Sequence, residues 1–202
     1  MMSVADGTEF AYSLDDMLTE HFRVREFFWH KGLKRETWAR HPKLRKVQVY
    51  LAYNLALKGE AIRQEAKVPI HINSGCRDKF VYKLLFKRWV KAMKEGRKVA
   101  KPSRTSDHFF MNDIWPLGVG AMDFTPVGFD TKQLKELFDW IVLTWAPDEY
   151  GQVIFYPEQV FIHLSNPYEI LGDVGIEINK PLCNKILIYS YKEKKYKPYR
   201  TV

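Results

Sequence analysis

At 202 residues the chain has the length of one sizeable domain, with room for extensions. A hydrophobic fraction of 46%, with 15% aromatic residues, excludes a chain disordered by composition. The net charge is +8, no apolar run reaches the length of a membrane span, and the first ten residues lack the charged-then-apolar layout of a signal peptide. A soluble protein with no membrane partner is therefore expected.

Residues 13–28, "SLDDMLTEHFRVREFF", read as a short capped helix, an extended turn and the start of another helix. From Pro42 to Ala66, the spacing of Leu44, Val47, Leu51, Leu55 and Ile62 predicts a long amphipathic helix. Residues 68–75, "VPIHINSG", alternate in polarity and end at a Ser-Gly turn, which predicts a strand. Cys76 follows, and with Cys183 it makes neither a disulfide framework nor a metal knuckle, so free thiols are expected.

Residues 79–101 carry nine Lys or Arg against Glu95 alone. Their core, 78–96, reads as a helix with Phe80, Leu84, Leu85, Trp89 and Met93 on its apolar side. Nine cations are too many to bury, so this element is expected to project from the body as a docking surface. Residues 118–124, "GVGAMDF", read as a buried strand. Asp130 and Gln133 form a potential capping box that opens a helix with Leu134, Leu137, Phe138, Ile141 and Trp145 on its apolar face. Two strands, 151–156 and 159–165, flank a Pro157-Glu158 turn as a hairpin. A last strand, 184–191, precedes a basic tail at 192–202.

This order predicts an α+β fold with a small, mainly antiparallel sheet and flanking helices. Residues 1–170 are expected to form the main domain and 171–202 a C-terminal extension with one strand and the basic tail. Both basic elements suit anionic polymers or an acidic partner, or are simply solvated. No nucleic-acid motif accompanies the charge, so a nucleic-acid partner is not expected.

Strand alternation places Phe161, His163 and Ser165 on one face, and groups Val119, Ala121 and Asp123 on another strand. An unpaired polar group inside an apolar strand is costly. His163 and Asp123 therefore read either as a satisfied core pair or as two ligands. His108, in "SRTSDHFF" just ahead of the aspartate strand, adds a third ligand type. Two imidazoles and a carboxylate with one position open are the donor set of a catalytic zinc.

Several pieces in this order resemble the zinc D-alanyl-D-alanine metallopeptidases, peptidoglycan hydrolases of the hedgehog/DD-peptidase fold, in particular the short forms encoded by tailed phages. "LTEHFRVREFF" is similar to the family's N-terminal "hFtlsEf" segment. "NLALKGEAIRQEAKVPIHINSGCR" is similar to its helix and strand ending "SGYR", with Cys76 at the Tyr position. "TSDH" matches "SQH", "GAMDF" the end of "GxAxD", and "GQVIFY…FIHLSNP" the segment "DQLIYE…WIHVS". The resemblance runs from about residue 18 to 168. It implies a hedgehog/DD-peptidase-like fold and one Zn2+ ion held by His108, Asp123 and His163. It also implies Arg77 as the receptor of a substrate carboxylate and Ser106 as a polar support beside the metal. The substrate would be a peptidoglycan stem peptide, cut at a D-Ala-D-Ala or L-Ala-D-Glu bond. The protein would reside in the host cytoplasm before release, or be virion-associated, with virion proteins as further partners for its basic elements.

Three departures bear on that expectation. The interval from His108 to Asp123 is longer than the family's, so residues 109–117 read as an insertion near the metal. Val119 stands where the family has glycine. The glutamate closing "QLIYE", the natural general base, falls on Tyr156, and Glu158 in the following turn becomes the candidate base. The rival reading is a catalytically inactive virion structural or wall-binding protein on the same fold.

Overall fold

The computed structural model describes residues 12–97, 99, 101–111, 117–146, 148–175, 185–190 and 195–199. The middle of the expected insertion, Cys183 and much of the basic tail lie outside these residues. The described chain opens with a turn where a short capped helix is expected. Ser13 N–H donates to Asp16 Oδ2 at 2.7 Å, and Asp15 N–H donates to Ser13 Oγ at 3.2 Å. Short polar side chains that satisfy nearby backbone compete with helix formation. The helix in this stretch is α1 (Val24–Phe28), followed by the two-residue strands β1 (Trp29–His30) and β2 (Arg35–Glu36).

Helix α2 (Pro42–Ala66) has proline in its first turn, where the missing N–H costs nothing. It stops at Lys67, which adopts left-handed φ 56. Strand β3 (Ile70–Ser74) leads to α3 (Lys79–Lys94), whose N-cap Asp78 accepts from Phe80 and Val81 N–H. A 3-10 turn at Asp107–Phe109 precedes β4 (Ala121–Pro126). That strand begins later than the apolar run suggests, because Gly120, at φ 84, is not extended. The Asp130–Gln133 capping box is formed and opens α4 (Thr131–Thr144). Strands β5 (Gln152–Tyr156) and β6 (Phe161–Ser165) make the hairpin. Helix α5 (Ile170–Asp173) and strands β7 (Lys185–Ser190) and β8 (Lys195–Pro198) follow.

The fold is α+β. Its main sheet has the order β3-β4-β6-β5-β7-β8. Neighbours are antiparallel except β5 and β7, which run parallel, so the sheet is mixed. A parallel neighbour requires a long connection, and the stretch between β6 and β7 supplies it. Strand β8, within the expected basic tail, pairs with β7.

The two faces of this sheet differ. Met122, Phe124, Val153, Phe155, Ile162 and Leu164 are buried. They join one core with Leu51 and Leu55 of α2 and with Leu134 and Phe138 of α4. The rings of Phe138 and Phe155 stack at 5.6 Å. Strand periodicity sends Asp123, His163, Ile154, Tyr156 and Phe161 to the opposite face. Helix α3 stands apart from this packing, burying only Val81 and Ala92. Among the described residues no helix is long and apolar enough to cross a membrane.

Candidate metal centre

The β4–β6 ladder pairs Asp123 directly with His163, which places both side chains side by side on the face away from α2 and α4. His163 Nδ1 lies 2.8 Å from Asp123 Oδ1. His108 arrives from the 3-10 turn, its Nε2 3.2 Å from the same oxygen. The ligand atoms of the three residues all lie within 4.8 Å of one another. The fifteen-residue interval does not separate them, because the intervening chain is closed at its base. Met111 N–H donates to Gly118 O at 2.7 Å, and Gly120 N–H donates to Asp107 O at 3.0 Å. These bonds hold the histidine turn against the start of β4.

The "SGCR" segment anchors the third ligand. Gly75 O accepts from His108 Nδ1–H at 2.8 Å, and Arg77 N–H donates to His108 O at 2.7 Å. A carbonyl can only accept, so the Nδ1 proton is committed to Gly75. In the neutral ring Nε2 therefore presents a lone pair to the Asp123 carboxylate. Two acceptors at 3.2 Å need a cation between or beside them, and a metal ion meets that need with the donor types present. His108 stays neutral over a wide range: burial, then the positive charge of Arg77, lower its pKa to about 4 against an opposing pull from Asp123. Burial works against ionisation of Asp123, but its contacts with His108 and His163 more than offset this, and the carboxyl is held well below its ordinary range.

The half-buried Arg77 reaches Asp123 Oδ2 with Nη2 at 3.4 Å, so a guanidinium borders the ligand cluster. Ser106 stands at the N-cap of the 3-10 turn, where its carbonyl accepts from Phe109 N–H at 3.0 Å and its hydroxyl makes no cap bond. Glu158 is exposed in the β5–β6 turn and is not one of the three clustered ligands. Its charge is felt by Tyr189.

No known family model, curated protein or solved structure matches this chain.

Residues outside the expected set also shape the centre. Tyr156 lies on the His163 face, its ring stacked on Phe161 at 4.3 Å and its hydroxyl 3.2 Å from that of Tyr196 on β8. Burial, then Tyr196, then the Asp123 charge raise the phenol pKa far above neutral, so Tyr156 keeps its proton. The buried Asp107 accepts from Tyr168 O–H at 2.8 Å, which steadies the turn carrying His108. Asp107 adjoins His108 in the sequence, but nothing in its spacing marks Tyr168 or Tyr196 as a partner, because both contacts join distant segments.

Proposed function

We propose that the protein is a zinc-dependent peptidoglycan peptidase of the kind tailed phages encode, acting on a D-Ala-D-Ala or L-Ala-D-Glu bond of the stem peptide. The observation that carries this reading is the convergence of His108, Asp123 and His163, with the Arg77 guanidinium beside them. The resemblance of five ordered segments to DD-peptidase motifs supports it further. His108, Asp123 and His163 would hold the ion, and a zinc there supplies Lewis acidity toward a peptide carbonyl and makes water acidic enough to attack near neutral pH.

The chain's own groups divide the remaining work. Arg77 offers a planar fork to a carboxylate of the stem peptide, exchanging part of its contact with Asp123 for the ligand. Gly75 fixes the tautomer of His108 and thereby aims Nε2. Glu158 carries the general-base role, delivered by a turn at the end of β5. Tyr156, on the same face, keeps its proton and cannot act as the base.

A specific observation favours a second reading. The family's glutamate position holds the protonated Tyr156, and Glu158 is exposed, which suits a centre that keeps metal and binds wall material without hydrolysing it. Glu158→Gln separates the two. If Glu158 is the base, this variant loses peptidoglycan cleavage by roughly 10²–10⁴-fold while keeping its metal. Persisting cleavage assigns the base elsewhere. Absence of cleavage by the zinc-loaded wild type, read by mass spectrometry of digested peptidoglycan, selects the binding protein.

A further inference from the structure

From Lys79 to Lys94, α3 carries six cations and no acidic residue. At 100° per residue, Lys79, Lys83, Lys87, Arg88, Lys91 and Lys94 occupy one half of the helix circumference. Val81 and Ala92, which face the body, begin the other half, and Leu85, Trp89, Tyr82, Met93 and Phe86 complete it. The body covers the first edge of that apolar arc and touches Tyr82, whose ring lies 6.0 Å from that of Phe109, but it leaves the arc incompletely covered. Leu85, Trp89, Tyr82 and Phe86 are half-buried, and Met93 is 50% exposed. The aromatic members form a continuous strip, with Tyr82–Phe86 at 6.2 Å and Phe86–Trp89 at 5.3 Å.

Beside the strip opens a cavity of about 470 Å³ lined by Tyr82, Phe86, Lys101, Pro102 and Arg104. The ammonium of Lys101 lies 6.0 Å from the Phe86 ring and 5.5 Å from Trp89. Apolar walls with cations at the rim fit a ligand that is anionic at one end and apolar at the other.

We propose that α3 and this cavity form a peripheral docking surface for an anionic lipid bilayer. A soluble polyanion without rings would use the cations alone, and a single-stranded nucleic acid would stack on the rings but leave Met93 in water. A bilayer interface uses both: aromatic and aliphatic side chains enter the headgroup–acyl boundary while lysine and arginine stems reach back to lipid phosphates. Charge complementarity selects an anionic leaflet, because clustered basic residues concentrate near such a surface. The helix lies on the membrane and does not cross it. The proposal is independent of the peptidase reading, since none of its residues is a metal ligand.

The test is co-sedimentation of the full chain with vesicles of phosphatidylcholine alone, or mixed with phosphatidylglycerol, at physiological salt. The expected result is binding to the mixed vesicles only. Lys83→Gln/Lys87→Gln/Lys91→Gln should weaken it on the order of 100-fold, and Trp89→Ser/Met93→Ser should weaken it at unchanged net charge. All substituted residues are exposed or half-exposed, and circular dichroism checks that each variant is folded. No sedimentation of folded wild type with mixed vesicles overturns the proposal. So does retention on a soluble phosphodiester polymer that the Trp89→Ser/Met93→Ser variant matches, which would assign the surface to polyanions.

Discussion

At Gly75 the carbonyl oxygen accepts the hydrogen bond of His108 Nδ1–H while the Cα lies against the backbone of Phe27, where a Cβ would come within 2.5 Å of an oxygen. That contact is with backbone, so it cannot be relieved by a rotamer change. Gly75→Ala should therefore destabilise the metal-free protein by about 1–3 kcal/mol and weaken zinc binding by displacing the histidine anchor. Denaturant unfolding and a zinc titration read the two effects, and unchanged values in both would contradict the packing account. On the far side of the core, half-buried Lys58 donates to Asn166 Oδ1 at 3.3 Å, and Asn166 in turn donates to Leu51 O and Val119 O. Burial lowers the Lys58 pKa to about 8, against a smaller opposing pull from Glu149. The unfolded chain then holds more protons than the folded one between about pH 8 and the ordinary lysine range near 10.5, so this group makes stability rise with pH there. Thermal midpoints of wild type should climb from pH 8 toward 9.5, and Lys58→Met should flatten that climb. A slope identical in both proteins would remove Lys58 as the cause.

Among the elements, α2 and α4 are legible because their apolar residues repeat at helical spacing over several turns and their ends carry recognisable chemistry. The Asp130 carboxylate accepts from Gln133 N–H at 2.8 Å, and Gln133 Oε1 accepts from Asp130 N–H at 3.0 Å. Asp130→Ala should cost about 0.5–2 kcal/mol, seen as a lower Tm with no change in metal binding. A neutral effect would mean that helix packing alone fixes the start of α4. Elements without such signals escape a reading of the sequence. Strands β1 and β2 have two residues each and no period to detect, and "KYKP" of β8 looks like a charged tail until β7 offers it an edge. The expected helix near residue 13 fails for a local reason, since Ser13 and Asp16 satisfy one another and nearby backbone. The β5–β6 hairpin is legible, and so is the alternation that separates His163 from Ile162 and Leu164.

For the molecule as a whole, the division of labour between the two sheet faces explains how a basic, aromatic-rich chain builds a polar centre. One face spends its apolar residues on the core with α2 and α4, and the other is left for Asp123, His163 and the tyrosines. That His163 and Asp123 belong to strands can be seen in the sequence; that they are ladder partners cannot, because register depends on tertiary pairing. The closeness of His108 is hidden by the interval of fifteen residues and becomes intelligible only through the Met111–Gly118 and Gly120–Asp107 bonds. The parallel pairing of β7 with β5 is likewise a property of the crossover and not of the strand's composition. The account centres on a three-ligand metal site, and zinc titration of the chelator-treated protein by calorimetry tests it most directly. One equivalent per chain should bind the wild type, and His108→Ala, Asp123→Ala and His163→Ala should each abolish that binding while remaining folded by circular dichroism. A folded wild type that takes no zinc, or three variants that bind it undiminished, would contradict the account.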